Sequence, residues 1–550
     1  MRICQDKITI RIKNNTKSLD IALTDGYNKK EQMFIFKGGE EMAFAINSIG
    51  LYGLHAFLVE VEADVSFGKF KFDIVGLPDA AVSESRERVR AAIKNSGYAF
   101  SNNHITVNLA PADVRKEGPI YDLPIFVALL KATGQLKANV SDSAFVGELA
   151  LSGQIRPING VLPMVMKARD AGIATIYIPY GNAAEAAVVE GIEIFAVHSI
   201  EELMGHLNGE DLLEPLVHTG LQSMQEKPVY LDFADVKGQD NAKRAVELAA
   251  AGGHNLLMIG SPGSGKSMLA KRIPSILPAL DFEEALETTK IYSIAGELQE
   301  KQGLLTERPF RSPHHSVSAA GLAGGGAIPK PGEISLAHNG VLFLDELPEF
   351  SRNAMEIMRQ PLEDGEIHIS RVFGTLTYPS SVMLVAAMNP CPCGYKGHPK
   401  KQCTCTKQAA DRYIGKVSGP LLDRIDIHIE VEPVEYKHLR DNTPAESSAK
   451  IRERVERVRA IQRERFAGTP TLVNARMTSA QTRQFCILTD SGEKMMREMF
   501  EALNLSARAY DKVLHVARTI ADAEEADLIT DEHIFEAVQY RSLDRKFWQV

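Results

Sequence analysis

The stretch NLLMIGSPGSGKSMLAKRI, residues 255–273, decides the fold of the central part of this 550-residue chain. The apolar run 256–259 predicts a buried strand, and the apolar positions that follow Lys266 predict a helix. Between them lies a glycine-rich turn that ends in Gly265, Lys266 and Ser267. A glycine-rich turn between a buried strand and a helix predicts a phosphate-binding P-loop in an α/β domain.

Each residue type in this turn suits a nucleoside triphosphate. Gly263 and Gly265 let backbone N–H groups wrap the phosphates, and the helix N-terminus adds partial positive charge. Lys266 can neutralise the β- and γ-phosphates, and the Ser267 hydroxyl can hold Mg²⁺. The predicted cofactors are therefore ATP and Mg²⁺, and the predicted phosphate-binding residues are Gly260, Ser261, Pro262, Gly263, Ser264, Gly265, Lys266 and Ser267.

Two further strand ends carry polar residues that suit ATP hydrolysis. In NGVLFLDELPEF, residues 339–350, an apolar strand ends in Asp345 and Glu346. Asp345 suits the Mg²⁺ shell, and Glu346 suits the general base that orients the attacking water. An isolated Asp-Glu pair can also be a solvated strand end, but its position after a P-loop favours catalysis. In SVMLVAAMNP, residues 381–390, Asn389 ends a third strand and can sense the γ-phosphate or position water.

Two arginines in the second half of the chain are candidates for stabilising transition-state charge. Arg424 lies in SGPLLDRIDIHIEV, residues 418–431, and an arginine there can be supplied by a neighbouring subunit. Arg508 lies in LSARAYDKVLHVARTIAD, residues 505–522, at the start of a predicted helix. A helical lid that carries Arg508 could swing this arginine onto the phosphates.

The chain outside the P-loop region divides by composition. Residues 42–208 alternate strand-like and helical runs, which predicts an α/β domain, and residues 209–228 have the composition of a linker. The P-loop unit is predicted over 229–435, and residues 436–550 are predicted to be helical. Residues 1–41 are a polar leader, and one hypothesis is that Met42 is the true start. The alternative is that the leader is a genuine extension.

Bulk composition excludes several classes of protein. The chain is 44% hydrophobic and 24% charged with a net charge of −9, so a uniformly basic nucleic-acid coat is excluded, although a local basic channel is not. It has no apolar run that approaches the roughly 18 residues of a membrane span, and no signal peptide. With only 6 cysteines, disulfides are not expected, and we predict a cytoplasmic protein without membrane contact.

Four of the cysteines fall in NPCPCGYKGHPKKQCTCT, residues 389–406. Four thiolates in two pairs can enclose one tetrahedral Zn²⁺, and His398 is a possible substitute ligand. The pairs are tighter than the common Cys-x2-Cys spacing, so free thiols or a redox pair remain alternatives. The lysines nearby make a nucleic-acid contact plausible. The predicted zinc ligands are Cys391, Cys393, Cys403 and Cys405.

The motifs together resemble the AAA+ ATPases. The stretches 235–267, 308–350 and 418–431 resemble the magnesium-chelatase-like subgroup, and the similarity over 42–550 is greatest to the YifB/ComM family. The resemblance implies that Asn389 is sensor 1, Arg424 the arginine finger and Arg508 sensor 2. It also implies a homo-hexameric ring with ATP between subunits, and a helical lid of the magnesium-chelatase C-terminal type. ComM proteins are ATP-driven DNA motors that promote branch migration in recombination during natural transformation.

The N-terminal domain resembles the proteolytic domain of Lon, an S5 domain 2-like fold, through residues 116–134 and 151–182. Lon proteases use a Ser–Lys pair, with the serine directly after a Gly-Pro. Here Ile120 follows Gly118-Pro119, and Leu162 stands where the resemblance places the lysine. An aliphatic side chain can be neither nucleophile nor base, so a fold without peptidase chemistry is predicted.

Three functions are therefore compared. The favoured one is a hexameric AAA+ motor acting on single-stranded or branched DNA, with recombination proteins as candidate partners. The alternatives are a chelatase-like motor that remodels a protein partner, and an ATP-dependent protease, which Ile120 and Leu162 disfavour. The glycine-rich segment 318–326, which is flanked by Arg308, Arg311, His314, His315 and Lys330, and the predicted hairpin in 363–380, with Arg371 near its tip, are candidate loops for DNA. The alternative is that both are surface turns.

Overall fold

A computed structural model of the chain describes residues 44–220, 231–299, 302–326, 329–371, 374–434 and 445–548. The leader 1–41, for which Met42 is the hypothetical start, lies outside these residues. Residues 43–550 form one compact unit. No helix in the described part of the chain combines the length and the apolar character that crossing a bilayer requires.

A seven-stranded mixed sheet organises the first part of the chain, in the order β3-β4-β2-β1-β5-β8-β9. Strands β1 and β2 form an antiparallel hairpin, β2 pairs antiparallel with β4, and the remaining neighbours are parallel. The sheet strands are β1 (Phe44–Tyr52), β2 (His55–Ser66), β3 (Lys71–Val75), β4 (His104–Ala110), β5 (Ser143–Phe145), β8 (Thr175–Pro179) and β9 (Glu193–Val197), and a short hairpin, β6 (Glu148–Leu149) and β7 (Ile155–Arg156), lies beside them.

Helices cover this sheet because their apolar sides match its buried face. The most apolar is α2 (Asp122–Ala132), in which every residue from Leu123 to Leu130 is buried. The others are α1 (Ala80–Asn95), α3 (Val161–Asp170), α4 (Ala183–Ala186) and α5 (Ile200–Asn208). Of the predicted linker 209–228, the described part packs back onto this domain, since the backbone N–H of Leu216 donates to the Ile194 carbonyl at 2.8 Å.

The P-loop lies at the carboxyl ends of the strands of a second sheet. This sheet is entirely parallel and has the order β11-β14-β17-β10-β18. Its strands are β10 (Leu256–Gly260), β11 (Phe310–Arg311), β14 (Val341–Leu344), β17 (Met383–Met388) and β18 (Ile427–Val431). Strands β10, β14 and β17 are buried at every position, as the apolar runs predict. Because parallel strands end at one edge, Gly260, Asp345 and Asn389 meet there.

Short elements surround this sheet. The helices are α6 (Asp240–Gly252), α7 (Lys266–Ala270), α8 (Phe282–Ala295), α9 (Ala319–Ala323), α10 (Glu333–Leu336), α11 (Arg352–Ile357), α12 (Arg359–Asp364), α13 (Lys407–Ile414) and α14 (Gly419–Leu422). Two small hairpins are formed by β12 (Gly324–Gly325) with β13 (Lys330–Pro331) and by β15 (Glu366–Arg371) with β16 (Gly374–Pro379). The P-loop helix α7 ends at Ala270, because Pro274 follows closely and cannot continue the helix.

The last part of the described chain is helical, as predicted. It contains α15 (Ser448–Arg465), α16 (Ser479–Phe485), α17 (Asp490–Leu503), α18 (Ala507–Ala523), α19 (Asp531–Gln539) and α20 (Ser542–Trp548). Helix α15 buries Ile451, Val455 and Val458 in a core shared with the P-loop sheet. The mixed α/β architecture with a helical C-terminal region confirms the predicted fold class.

A buried polar contact joins the first domain to the P-loop domain. Ser293 of α8 donates from its hydroxyl to Glu185 Oε2 at 2.5 Å. Glu185 also accepts from Asn182 Nδ2 at 2.7 Å and from the Leu162 N–H at 3.2 Å. Burial raises the pKa of Glu185, whereas these hydrogen bonds act to lower it. A buried carboxylate is stable only when its acceptors are satisfied, so this contact ties the two domains together.

Candidate nucleotide site and its surroundings

Five of the eight predicted P-loop residues line one open cavity of about 330 Å³, whereas Gly260, Ser261 and Ser264 do not line it. Residues from three chain segments line it: Pro262, Gly263, Gly265, Lys266, Ser267, Met268, Asp345, Glu346, Met388 and Asn389. The backbone of Gly263 and Gly265 has φ of 78° and 99°, a region that glycine enters without strain. These glycines therefore allow the close turn that the phosphates of a nucleotide require.

Lys266 is buried at the centre of this cavity, where its ammonium group contacts oxygen atoms only. Its Nζ donates to the Gly260 carbonyl at 2.7 Å, to the Ser261 carbonyl at 3.1 Å and to Asn389 Oδ1 at 3.3 Å. Burial lowers the pKa of Lys266, and the charges of Asp345 and Glu346 act in the opposite direction. Phosphate oxygens can replace the carbonyls as acceptors, and Asn389 is placed to contact the same phosphate group.

Ser267 and Asp345 form the candidate Mg²⁺ site. The Ser267 hydroxyl donates to Asp345 Oδ2 at 2.6 Å. A hydroxyl and a carboxylate oxygen are the hard ligands that Mg²⁺ prefers, and this cation keeps its remaining positions for water and phosphate. The donor set therefore fits Mg²⁺, which would be held by these two side chains and would neutralise phosphate charge.

Glu346 adopts a left-handed backbone conformation, with φ 54° and ψ 46°. Its N–H donates to Asp345 Oδ1 at 2.9 Å, and its side chain is 53% exposed. A non-glycine residue in this region is uncommon and is often found at functional sites. The turn directs the Glu346 carboxylate into the cavity, where it can accept a proton from water.

His315 is a neighbour of the Glu346 carboxylate, and sequence reasoning did not identify this contact. Its Nδ1 lies 3.5 Å from Glu346 Oε2, and its ring lies 4.0 Å from that of His314. The pair His314-His315 carries no metal-ligand spacing, and no such signal linked it to Glu346 in the sequence. Gln239 was also missed, although its side-chain amide holds the P-loop by donating to the Ser264 carbonyl at 3.1 Å.

Arg424 and Arg508 come together away from the P-loop cavity, since neither lines it. Both guanidinium groups contact the carboxylate of Glu363, Arg424 through a close ion pair and Arg508 at 3.5 Å. The sequence placed the two arginines on separate elements, so their convergence on one acidic residue was not expected.

A buried ion pair fixes the elements that carry these arginines. Lys512 lies one helical turn after Arg508 in α18, and its Nζ is 2.7 Å from Asp426 Oδ1. Asp426 follows Arg424 closely and also accepts from the Asn255 N–H at 2.8 Å. Burial acts to raise the pKa of Asp426, but Lys512 and His254 outweigh it and hold this pKa below its ordinary value. The ionised pair locks the segment of Arg424 to helix α18.

The four loop cysteines lie together as predicted, with their sulfur atoms all within 4.8 Å of one another. Cys391 Sγ is 3.4 Å from Cys393 Sγ and 3.6 Å from Cys403 Sγ. These separations are far longer than a disulfide and close to the roughly 3.8 Å between sulfurs on a tetrahedral Zn²⁺ with Zn–S bonds near 2.3 Å. The cluster therefore fits one metal ion with four thiolate ligands.

Backbone N–H groups point at the sulfurs of this cluster. The Cys393 N–H donates to Cys405 Sγ at 3.4 Å. A hydrogen bond from the Tyr395 backbone is the largest cause that lowers the pKa of Cys393 to about 5. His398, the possible substitute ligand, instead accepts from the N–H groups of Lys400 and Lys401 at 3.0 Å. It is not among the residues whose ligand atoms cluster.

The cleft where a Lon-type protease would carry its nucleophile is also present. It has a volume of about 640 Å³ and is lined by Gly118, Pro119, Ile120 and Asn159 on one side and by Pro329 and Lys330 of the P-loop domain on the other. Leu162 does not line it, because its side chain is fully buried. The cleft thus has an aliphatic side chain where a serine would be needed, in agreement with the sequence.

Two arginines that flank the glycine-rich segment 318–326 serve the structure of the P-loop domain. Arg308 donates to Glu284 at 2.7 Å, and Arg311 forms a two-bond ion pair with Glu333 at 2.8 and 2.9 Å. The sequence had suggested that these charges suit phosphates. Both arginines are instead paired with carboxylates. The prediction missed this because a sequence does not show which arginine already has an acidic partner. The chain just after this segment contacts the hairpin, since the Tyr378 hydroxyl donates to the Pro329 carbonyl at 3.0 Å.

Three family descriptions match the chain. They are magnesium chelatase, subunit ChlI, over residues 232–439; subunit ChlI of Mg-chelatase, over 61–182; and magnesium chelatase, subunit ChlI C-terminal, over 445–541. Lon protease 2 of Bacillus subtilis is 25% identical over 188 residues, which cover 31% of this chain and 34% of that protein.

Two full-length relatives cover most of the chain. YifB of Escherichia coli is 45% identical over 498 residues, which are 90% of this chain and 96% of YifB. The competence protein ComM of Haemophilus influenzae is 43% identical over 500 residues, again 90% of this chain and 96% of ComM. The predicted resemblance is confirmed, and the chain belongs to the YifB/ComM family of magnesium-chelatase-like AAA+ proteins.

Proposed function

We propose that this protein is an ATPase that uses hydrolysis to move on DNA and to drive branch migration in homologous recombination, as in natural transformation. The observation that carries the ATPase is the meeting of Lys266, Ser267, Asp345, Glu346 and Asn389 in one cavity. Lys266 binds the phosphates, Ser267 and Asp345 hold Mg²⁺, and Glu346 takes the proton of the attacking water. Asn389 reports the γ-phosphate to the rest of the domain.

The DNA part of the proposal rests on the relation to a competence protein, ComM, over nearly the whole chain. A motor that remodels a protein partner would use the same ATP site, so ATP hydrolysis alone does not separate the two. An ATP-dependent protease is disfavoured because Ile120 occupies the cleft and Leu162 is buried. The proposed partner is single-stranded or branched DNA in the cytoplasm, together with recombination proteins that act on the same DNA.

A branch-migration assay on a synthetic three- or four-way junction tests this function directly. The wild-type protein should exchange strands only with ATP and Mg²⁺, and DNA should stimulate hydrolysis less as salt concentration rises, because phosphate contacts release counterions. Lys266→Ala should leave the junction unchanged, and Lys271→Ala, an exposed lysine after α7, is the matched control. Hydrolysis without DNA stimulation or strand exchange would favour the protein-remodelling motor.

We propose a homo-hexameric ring, and the placement of the arginines supports it. Arg424 and Arg508 contact Glu363 and do not line their own P-loop cavity, so a neighbouring subunit's ATP is their proposed target. A head-to-tail interface with closing rotation produces a ring of such shared sites. Light scattering coupled to size-exclusion chromatography with Glu346→Gln and ATP should report six subunits. A monomer under these conditions would contradict shared sites.

The cysteine loop, residues 391–405, is proposed to hold one Zn²⁺ per subunit. The carrying observation is the cluster of four sulfur atoms within 4.8 Å. Elemental analysis of protein purified without a histidine tag should find about one equivalent of zinc, because four thiolates satisfy its tetrahedral shell. Less than about a tenth of an equivalent in reduced protein would contradict the zinc site and favour a redox role for the thiols.

A further inference from the structure

The cysteine loop packs closely against the P-loop where Gly394 meets Pro262. A Cβ atom built on Gly394 would lie 2.4 Å from Pro262 Cδ and 2.6 Å from Pro262 Cγ. Real Cβ atoms do not approach carbon atoms this closely, so only glycine fits against the proline ring here. The backbone of the cysteine loop is therefore packed directly on the P-loop.

The contact is held from both sides of the loop by the cysteines. Gly394 directly follows Cys393, and its N–H donates to the Cys391 carbonyl at 2.9 Å. Cys391 is fully buried behind Asn389, whereas Cys403 returns from the far end of the loop to within 3.5 Å of Cys393 Sγ. A metal bound by all four sulfurs would close the loop and fix Gly394 in place.

Pro262 is connected to the phosphate-binding group by a short path. Its neighbour Ser261 offers the carbonyl that accepts from Lys266 Nζ at 3.1 Å. On the other side of the same cavity, Asn389 accepts from Lys266 at 3.3 Å and lies immediately before the cysteine loop. A shift of the loop would therefore displace Lys266 contacts on two sides of the cavity.

We infer that the metal-closed cysteine loop braces the P-loop through Gly394 and Pro262, and that metal occupancy thereby controls how tightly the site binds ATP. This inference rests on the proposed zinc and ATP sites and adds a regulation that connects them. Gly394 is a positioning residue, because it acts on the nucleotide through Pro262 and supplies neither a metal ligand nor a phosphate contact of its own.

The loop contains its own matched control. Gly394 and Gly397 both have φ of 80°, but a Cβ on Gly397 would meet no atom within 4 Å. Gly394→Ala and Gly397→Ala therefore impose similar backbone strain, and only the first pushes against the P-loop. With a fluorescent ATP derivative, Gly394→Ala should bind about tenfold more weakly than Gly397→Ala, because overpacking forces a backbone shift. Zinc content should equal that of the wild type in both.

A second variant separates the steric contact from general damage. Pro262→Ala removes the ring atoms that the new methyl group would meet, so the double variant Pro262→Ala, Gly394→Ala should bind the ATP derivative as well as Pro262→Ala alone. A merely structural role for Gly394 would not be rescued by a change in the P-loop. Failure of this rescue, or equal affinities of the two glycine variants at full zinc content, would overturn the brace.

Metal removal tests whether metal bound by the cysteine loop controls the affinity for ATP. Stripping the wild-type protein with a chelator under reducing conditions should weaken binding of the ATP derivative about as much as Gly394→Ala does, and added Zn²⁺ should restore it. Stripping Gly394→Ala should then weaken binding little further. Unchanged affinity in metal-free wild type would overturn metal control. A protein that binds nucleotide but is purified without metal would overturn the zinc site itself, and a wild type that binds no nucleotide would overturn the ATP site.

Discussion

Two clefts in this molecule differ in the chemistry of the side chains that line them. The P-loop cavity of about 330 Å³ joins a buried lysine, a hydroxyl, two carboxylates and an amide. The larger N-terminal cleft of about 640 Å³ presents Gly118, Pro119 and Ile120 where a Lon-type protease would carry its serine. A fold persists because its core packs, whereas chemistry depends on a few side chains, so one cleft keeps a function that the other lacks.

The largest expected effect distinguishes the two clefts most clearly. Lys266→Ala should abolish ATP turnover because no other side chain supplies its charge to the phosphates. Glu346→Gln should bind ATP yet slow hydrolysis by about 10²–10⁴, the range of general-base catalysis. Nucleotide affinity and single-turnover hydrolysis, measured with Lys271→Ala as control, check both roles. An equal loss of ATP affinity in the two variants would contradict the assignment of Glu346 as base.

A smaller loss is expected where the P-loop cavity depends on a second subunit. Arg424→Ala should reduce hydrolysis by up to about 10³-fold, the effect of a missing arginine finger. Mixing it with Lys266→Ala subunits should recover some activity, because an intact P-loop can then meet an intact Arg424. Arg352→Ala, an exposed arginine in α11, serves as control.

The outcome of that mixing experiment is read after subunit exchange has been verified with labelled chains. No recovery in mixed rings would count against Arg424 acting across the interface. The same design applies to Arg508, since both arginines contact Glu363.

The connection between the two clefts should affect stability more than turnover. Ser293→Ala removes the 2.5 Å hydrogen bond to the buried Glu185 carboxylate and should lower the free energy of unfolding by about 1–3 kcal/mol. Urea unfolding measures this cost. Glu283→Ala, at an exposed position of the same helix, should change it by less than about 0.5 kcal/mol. A Ser293→Ala protein as stable as the Glu283→Ala control would show that the contact does not join the domains.

The smallest effect is expected in the N-terminal cleft. Ile120→Val should leave ATP turnover within about twofold of the wild type, because it trims one methylene from a residue without a chemical role. Neither protein should cleave fluorescent casein, with or without ATP. Casein cleavage that requires ATP and disappears in Lys266→Ala would reverse the comparison and restore the protease.

Much of the P-loop cavity was predictable because its parts are local patterns. Asp345 and Asn389 each end an apolar strand, and parallel strands place their ends at one edge. The cluster of four cysteines was equally predictable, because residues that are close in the sequence also lie close in space. Arg308 and Arg311 were misjudged as phosphate contacts, because their partners Glu284 and Glu333 are distant along the chain.

The sequence by itself determined the P-loop and the strand ends that surround it, because these are properties of residue type at short spacing, for which backbone geometry leaves few alternatives. The missing serine and lysine of the N-terminal cleft were implied by the resemblance to Lon. Only the tertiary structure decided that Arg424 and Arg508 share Glu363, that His315 faces Glu346 and that Gly394 packs on Pro262. Each of these contacts joins segments far apart in the chain, and their register depends on how whole domains pack rather than on any local preference.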